Sequence, residues 1–424
     1  MEKILRILGV MMVLCTVSPV HSAEMVNVEF IHQVIAQKWD IMVPYNPSLG
    51  NLGVAANMKY LLCAIDRANA MLNGTATNYG DGQYATLAAA DTDATITAVN
   101  TLIHEPLPES QFWVTTIPNA TSFSFSMSAM GTFAVDWGDG TVDKITRTNV
   151  NKETYSHTYA VAGEYTIGFG GHATKYNSWN AAISFPRTCG GAAISGSLGA
   201  IFPTIGDGSE PGAQPCFSST FMNMSTLGGP IPPELFDGVH GAPIDSMFSS
   251  TFARTKLSGS IPPGLFSGIS GPPTESIFYE TFASCGNLTG EIPADLFSGI
   301  VGKPAPYMFT ATFTRTGVTG EIPSGLFAGI SGPPAEMMFY QTFYLANKLT
   351  SIGDGVFGDL SGPGAENMFG GTFNAWSFTG PSARTATGKY LYEIWPDATT
   401  TQVGKCYYDR SMLTDRDNIP SAWK

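Results

Sequence analysis

The sequence has few charged residues, and most of them are acidic. Asp, Glu, Lys and Arg make up 13% of the 424 residues, against about 25% in an average globular protein. The 34 acidic and 21 basic residues give a formal net charge of −13. Such a surface repels phosphate backbones, so we expect no nucleic-acid partner. The chain also carries 26 Phe, 16 Tyr and 7 Trp, far more apolar surface than a disordered chain has.

Long apolar runs are missing everywhere except at the N-terminus. Residues 7–20 form one such run, preceded by Lys3 and Arg6 and followed by the small residues Ser22 and Ala23. This pattern predicts a cleavable secretory signal over residues 1–23. No later run is long enough to cross a bilayer. We therefore expect a protein without a transmembrane segment, exported to the cell surface, the extracellular medium or the periplasm.

Cysteine is scarce, and residues typical of enzyme sites are scattered. Five cysteines remain after the signal, an odd number at irregular spacing, which is neither a disulfide framework nor a zinc site. One pair could oxidise after export, and the pairing stays open. The sequence has no metal-ligand cluster, nucleophile elbow or phosphate-binding loop. It predicts no catalytic residue, no metal and no cofactor, and hence no enzyme. The five cysteines are Cys63, Cys189, Cys216, Cys285 and Cys406.

Residues 24–107 have the periodicity of helices. Val28, Ile31, Ile35 and Trp39 fall near one helical face, and two further stripes follow with the same period. A small α-helical module is expected here, with its role left open.

From about residue 108 the apolar period changes to two. Phe123, Phe125 and Met127 alternate with serine, as expected for short antiparallel strands with one buried face each. Residues 108–190 are therefore predicted to form a β-sandwich, with its last strand ending early at the glycines near residues 168–171.

Three short motifs in this region carry a resemblance. The Trp-Gly-Asp-Gly-Thr segment at residues 137–141, His-Thr-Tyr at 157–159 and Gly-Glu-Tyr-Thr-Ile at 163–167 resemble the PKD family of immunoglobulin-like sandwiches. The resemblance implies a spacer or adhesive module of exported proteins. Asp136 and Asp139 are too few for a calcium site, and Asp139-Gly140 is a hairpin-turn signal. His157 is expected to pack and to hydrogen-bond a turn rather than to act as a base.

Residues 191–380 repeat themselves. A Thr-Phe pair recurs with phenylalanine spacings of 31, 30, 31, 30 and 30 residues, and another phenylalanine lies four positions before the phenylalanine of each pair. Six copies at so constant a period predict a solenoid of about six 30-residue repeats, with residues 381–424 as a C-terminal cap that includes a closing strand near Tyr390. The paired phenylalanines are Phe221, Phe252, Phe282, Phe313, Phe343 and Phe373.

One copy illustrates the expected local structure. Leu257, Gly259 and Ile261 would point inward from an extended segment, with the serines between them pointing outward. Phe278 and Phe282, four residues apart, are expected to share one face of a short helix. The predicted fold is therefore an α/β solenoid of the leucine-rich-repeat type.

The copy at residues 282–293, followed by Leu296-Phe297, carries a second resemblance. Its sequence, Phe-Ala-Ser-Cys-Gly-Asn-Leu-Thr-Gly-Glu-Ile-Pro, resembles the BspA-like leucine-rich repeats of bacterial surface proteins. The copies here are longer than the usual unit. The resemblance implies display at a surface and binding of proteins or glycans on another cell or in a matrix.

The outward positions of the extended segments form the candidate binding strip. Glu291 and Glu321 occupy equivalent positions in adjacent copies, so we expect them side by side, about 5 Å apart. Two carboxylates at that separation could belong to a retaining glycosidase, but repetition favours a solvated acidic strip. Trp376 could add a stacking contact. The candidate residues are Ser258, Ser260, Thr289, Glu291, Thr319, Glu321 and Trp376.

Three functions fit these features. The first hypothesis is a non-enzymatic adhesion or binding protein that presents its repeats to a protein or glycan. The second is a polysaccharide-degrading enzyme or its carbohydrate-binding accessory component. The third is a self-associating structural protein of the cell envelope.

Overall fold

The computed structural model describes residues 108–424. The predicted signal segment and helical module lie outside the described residues. The larger of two compact units comprises Glu109–Phe133, Trp137–Asp139 and Ile145–Lys424. Of the smaller unit, the structure describes Pro108, Ala134–Asp136 and Gly140–Lys144.

The described part of the chain is rich in β-structure, which confirms the predicted β-rich character. Over residues 108–424, α-helix is confined to α1 (Leu391–Ile394) and α2 (Thr400–Val403), both C-terminal to the repeats. The same residues form twelve β-strands. Their bounds are β1 Ser110–Thr116, β2 Ala120–Met127, β3 Ala129–Asp136, β4 Val142–Arg147, β5 Glu153–Gly163, β6 Thr166–Tyr176, β7 Ile183–Ser184, β8 Gly191–Gly196, β9 Gly320–Ile322, β10 Leu349–Ile352, β11 Thr379–Gly380 and β12 Met412–Leu413.

The first eight strands form two sheets that pack through aromatic rings. Their orders are β4-β3-β6-β1-β8 and β5-β2-β7. The predicted strand at residues 123–127 is confirmed as part of β2, with Phe123 and Phe125 1% and 0% exposed. The Phe169 ring of β6 meets the edge of Phe125 at a centroid distance of 5.0 Å. These rings join the two sheets into one core.

The expected early end of the strand near residues 168–171 is wrong. Strand β6 continues through the glycines to Tyr176. Glycine is needed at positions 168 and 171 because neighbouring segments of the chain pass too close to leave room for a side chain. A Cβ at Gly168 would lie 2.3 Å from Ser110 Oγ, and one at Gly171 would lie 2.5 Å from the Thr132 carbonyl oxygen. Glycine here allows close approach instead of ending the strand.

The repeats begin directly on the sandwich core. Strand β8 pairs antiparallel with β1, and the next segment carries the first phenylalanine pair. The Phe221 ring stacks on Phe185 with a centroid distance of 5.5 Å and lies 6.2 Å from Phe112. Apolar packing is therefore continuous from the sandwich into the first copy.

Successive copies stack in parallel through their phenylalanine rings. The Phe248 and Phe278 rings are 5.7 Å apart at an interplanar angle of 6°. Phe282 lies 5.5 Å from Phe252 and 5.6 Å from Phe313. Each of these rings is 0% exposed. A single copy could not bury them, so each copy depends on its neighbours for its core.

The segment expected to form a short helix at Phe278 and Phe282 forms consecutive turns instead. Ser276, Glu280 and Ser284 have φ values of 56°, 51° and 60°, in the left-handed region that interrupts a right-handed helix. The Phe278 N–H donates to the Met308 carbonyl of the next copy at 2.9 Å, whereas the Thr281 N–H donates three residues back at 3.3 Å. The conformation repeats every four residues, which directs both rings inward.

A row of buried threonine hydroxyls runs through the stack. The Thr312 Oγ1 lies 2.9 Å from the carbonyl oxygens of both Phe278 and Phe309, so its hydroxyl is shared between two copies. The Thr220 hydroxyl lies 3.0 Å from the Ile183 carbonyl oxygen of β7. Burying a hydroxyl is favourable only with such a partner. The row consists of Thr220, Thr251, Thr281, Thr312, Thr342 and Thr372, all 0% exposed.

The glycine of the Leu-x-Gly-x-Ile segment at residues 257–261 does not point inward, contrary to expectation. Leu257 and Ile261 are buried, but Gly259 is exposed, with φ of 81°. Gly290 and Gly320 have nearly the same φ, 79° and 82°. The backbone therefore bends at the glycine, a conformation that an L-residue with a side chain adopts only with strain.

Aromatic residues of the last segment cover the final copy. The Tyr407 ring stacks on Phe373 at 5.5 Å, and Trp395 and Trp423 lie 6.0 and 6.1 Å from Phe369. The closing strand expected near Tyr390 is wrong, because helix α1 lies there. The Glu393 carboxylate accepts the Tyr390 N–H at 2.9 Å, which favours a helix start.

Candidate binding surfaces

The first row of the predicted strip is assembled by backbone bonds between copies. The N–H groups of Ser258, Thr289 and Thr319 donate to glycine carbonyls of the preceding copy at 2.7, 2.8 and 2.8 Å. The three side chains are half-buried or exposed. The row continues beyond the predicted residues, because the Thr350 hydroxyl donates to the Gly320 carbonyl at 3.1 Å and the Thr379 hydroxyl to the Thr350 carbonyl at 3.1 Å.

The second row contains Ser260, Glu291 and Glu321, all exposed. A Cβ at Gly290 would lie 3.2 Å from Ser260 Cβ, and one at Gly320 would lie 2.9 Å from Glu291 Cγ. Each outer side chain thus rests over the glycine of the next copy. Glu321 accepts the Ser351 hydroxyl at 2.9 Å. Neighbouring copies therefore orient both glutamates, which lie on the outside of the stack.

Trp376 lies at the last-copy end of the strip. Its side chain is 61% exposed. The next residue, Ser377, donates its hydroxyl to the Leu349 carbonyl at the start of β10 at 2.5 Å. Strand β11 then pairs with both β10 and β12. The exposed indole thus lies in the segment that leads into β11, three residues before Thr379 of the first row.

His157 holds a turn of the sandwich. Its Nε2 lies 2.7 Å from Asp139 Oδ2. The imidazole stacks on Trp137 at 5.0 Å and 17°, and Tyr159 meets it edge-on at 4.9 Å. The Tyr159 hydroxyl donates to the Trp137 carbonyl at 3.0 Å. These contacts agree with the packing role expected for His157 from the sequence. One face of its imidazole packs on the indole of Trp137.

The cysteines of the described part are buried free thiols. They are Cys189, Cys216, Cys285 and Cys406. Burial raises the pKa of the Cys189 thiol to about 11, which leaves little thiolate at neutral pH. Over residues 108–424, no three His, Cys, Asp or Glu side chains form a group that could hold a metal ion.

A second surface lies on the turns that carry the phenylalanine pairs, and sequence reasoning missed it. We call it the tyrosine face, defined by Tyr279, Tyr307, Tyr340 and Tyr344, all half-buried. A Cβ at Gly370 would lie 2.7 Å from Tyr340 Cδ2, so that ring lies over the next copy. Gln341 Nε2 donates to the Tyr340 hydroxyl at 3.2 Å. A signal for part of this face was in the sequence, because Tyr279 and Tyr340 each directly follow the first phenylalanine of a pair.

An acidic row borders the tyrosine face, formed by Asp245, Glu275, Glu336 and Glu366, all exposed. The Tyr307 N–H donates to the Glu336 carbonyl oxygen at 3.0 Å, and the Met337 N–H to that of Glu366 at 2.9 Å. The Tyr307 hydroxyl donates to Glu336 Oε1 at 2.6 Å. This hydrogen bond raises the pKa of Tyr307, and the charges of Glu275 and Glu366 act in the same direction. Three carboxylates therefore lie near this phenol.

A guanidinium is already bound at the N-terminal part of this face. Arg254 Nη2 lies 3.0 Å from Glu280 Oε2 of the next copy. Burial raises the pKa of the adjacent Tyr279, and Glu280 raises it further, whereas Arg254 lowers it. Arg315 is the equivalent of Arg254 two copies further on, and the residue of the copy after Arg315 that is equivalent to Glu280 is Gln341, which is uncharged. The pair of guanidinium and carboxylate is thus not repeated there.

Comparison of the chain with known protein families, with curated proteins and with solved structures finds no match. Among residues 108–424, no helix has both the length and the apolar character needed to cross a bilayer.

Proposed function

We propose that the protein is an exported, non-enzymatic binding or adhesion protein. A leucine-rich-repeat-type solenoid, set between a PKD-like sandwich and a C-terminal cap, presents its outer side to a protein or glycan of another cell or of a matrix. The parallel stacking of six copies and the aromatic cover on the last copy support this proposal.

The observation that carries the proposal is the rigid presentation of outward side chains. Each copy is held to the next by stacked rings, shared threonine hydroxyls and backbone bonds. Outward residues such as Thr289 and Glu291 therefore stand at fixed separations. Binding to a surface ordered in advance loses less conformational entropy than binding to loops.

The strip offers chemistry that suits a polar ligand. Thr289 and Thr319 present hydroxyl groups, Glu291 and Glu321 present carboxylates, and Trp376 adds an exposed ring. Hydroxyl and carboxylate groups accept hydrogen bonds from peptide amides and sugar hydroxyls. An indole ring gives apolar contact area with few rotatable bonds.

The test is an array of proteins and glycans probed with the full chain. A selective ligand is expected, and Trp376→Ala or the double variant Glu291→Gln/Glu321→Gln should weaken it about tenfold. Glu164→Gln on the sandwich is the control and should bind as the parent does. A ligand that binds all variants equally would contradict the role of the strip, and a chain that binds nothing on the array would contradict the function.

Two other outcomes would favour the competing functions. Polysaccharide cleavage that disappears in Glu291→Gln/Glu321→Gln would identify an enzyme. Concentration-dependent oligomers in size-exclusion chromatography, with no ligand on the array, would identify a self-associating structural protein.

A further inference from the structure

The C-terminal half of the tyrosine face is apolar and aromatic at its centre. Tyr307, Met337, Tyr340, Tyr344 and Leu345 lie there, and all five are half-buried. Tyr340 and Tyr344 are packed along one side on the next copy, where a Cβ at Gly371 would lie 3.7 Å from Tyr344 Cδ2. The rings are held by the stack and keep one surface toward solvent. A fixed aromatic surface of this kind is typical of binding sites.

Exposed carboxylates border one side of these rings, and Arg315, whose N–H donates to the Tyr344 carbonyl at 2.9 Å, is exposed beside Tyr344. Glu336 and Glu366 border them and are exposed. Within residues 108–424, neither glutamate forms an ion pair. The chain as a whole carries a net charge of −13. A cationic partner would be attracted at long range and would neutralise carboxylates that form no ion pair within the described chain.

The chain itself shows how a cation can bind on this face. Arg254 lies in an ion pair with Glu280, next to Tyr279. Further along the stack, Tyr307 and Tyr340 provide rings, and Glu336 and Glu366 provide carboxylates, but no basic residue of the described chain pairs with them. Arginine and lysine are the side chains that bind both to a carboxylate and to the face of an aromatic ring.

We propose that the tyrosine face binds a polypeptide segment rich in arginine or lysine, whose cationic side chains lie on the rings of Tyr307, Tyr340 and Tyr344 and whose charges are met by Glu336 and Glu366. The site is separate from the strip, and the proposal depends on the proposed function only in that the repeats present binding surfaces. Nucleic acid is disfavoured as an occupant because the acidic row repels phosphate.

The experiment uses the full chain and a fluorescein-labelled peptide of alternating arginine and serine, with anisotropy as the readout. A peptide of alternating glutamate and serine is the charge control and should not bind. Tyr340→Leu/Tyr344→Leu keeps apolar cover over Gly370 and Gly371 but removes the aromatic faces, so we expect about tenfold weaker binding. Tyr340→Phe/Tyr344→Phe keeps the rings and should bind as the parent does. Circular dichroism checks that the variants remain folded.

A matched pair of charge variants tests the position of the site. Glu336→Gln/Glu366→Gln should weaken binding about fivefold, whereas Glu234→Gln/Asp295→Asn removes the same charge at exposed positions of the repeats outside both surfaces and should leave binding unchanged. Equal loss in both pairs would overturn the proposal in favour of unspecific charge attraction. Parent-like binding by the leucine variant would overturn it as well, as would a parent that ignores the arginine peptide. The proposed function would survive these results if the array ligand still depended on the strip.

Discussion

The sandwich and the repeats bury the same kind of side chain in different ways. In the sandwich, Phe169 meets Phe125 at 88°, and the two rings come from strands of different sheets. In the repeats, Phe309 and Phe339 are parallel within 3°, and each ring lies on its counterpart one copy away. A periodic sequence thus produces a periodic core, in which each ring is supported by two neighbours. A ring in the sandwich is supported by its particular surroundings.

The largest effect is expected from removing one ring of the stack. Phe282→Ala removes the one ring that contacts both Phe252 and Phe313. The substitution should lower the free energy of unfolding by about 3–5 kcal/mol. Urea unfolding measures this change. The outward substitution Tyr279→Ala in the same copy is the control and should have a smaller effect. Equal stability of Phe282→Ala and the parent would contradict the stacked core.

A smaller effect is expected from the buried hydroxyl row. Thr312→Val keeps the shape of the side chain but removes the donor shared by the Phe278 and Phe309 carbonyls. The loss should be about 1–3 kcal/mol. Thr319→Val on the outer row exchanges the same groups at a half-buried position and should change stability by less than about 0.5 kcal/mol. If both variants lose the same stability, the buried row has no special role.

The outward glycines allow backbone strain to be separated from side-chain contact. Gly259 and Gly320 have φ of 81° and 82°, but only at Gly320 would a Cβ meet a neighbour, Glu291 Cγ at 2.9 Å. Gly259→Ala should cost about 1 kcal/mol from strain alone, and Gly320→Ala should cost more. In the double variant Gly320→Ala/Glu291→Ala this contact is absent, so the loss of stability should fall to that of Gly259→Ala. Two equal single-variant losses would contradict the contact.

The smallest effect concerns the titration of Tyr307. The hydrogen bond to Glu336 raises the pKa of the Tyr307 hydroxyl above its usual value. Because the folded state holds this proton more tightly, the stabilisation is present below the unfolded pKa and is lost as pH rises through the folded pKa. The difference in absorbance between the parent and Tyr307→Phe during a pH titration should show that the Tyr307 phenol ionises at higher pH than an ordinary tyrosine. Glu336→Gln should shift this ionisation to lower pH. An unchanged titration in Glu336→Gln would contradict the hydrogen bond.

Periodicity made part of the fold predictable from the sequence. The thirty-residue spacing of Phe221, Phe252 and Phe282 predicts the stack because only neighbouring copies can bury such rings. The spacing of four between Phe278 and Phe282 fits a helix equally well, and the left-handed φ at Ser276 and Glu280 is a collective property of the stacked copies that no single copy reveals. The Leu-x-Gly-x-Ile pattern likewise suggested a strand with alternating inward and outward residues, whereas the backbone bends at Gly259.

The candidate surfaces were predictable to different degrees. The strip follows from alternation, so Thr289, Glu291 and Trp376 could be chosen from sequence. The tyrosine face was harder to predict. Tyr279 and Tyr340 directly follow the first phenylalanine of their copies, but Tyr344 follows the second phenylalanine of its copy, so the rings come together only through the turn conformation. Tyr307 gains its three carboxylate neighbours from the preceding copy and the two following copies, at positions far apart in sequence.

The central claim, that the copies form one parallel stack with fixed outer rows, is tested most directly by a distance. Nitroxide labels at Ser258→Cys and Thr379→Cys lie on the same outer row, four copies apart, and the described native thiols are buried. At about 4.8 Å per copy the account predicts a narrow distance distribution centred near about 20 Å by pulsed electron spin resonance. A broad distribution, or a mean beyond about 30 Å, would contradict a stack at this spacing.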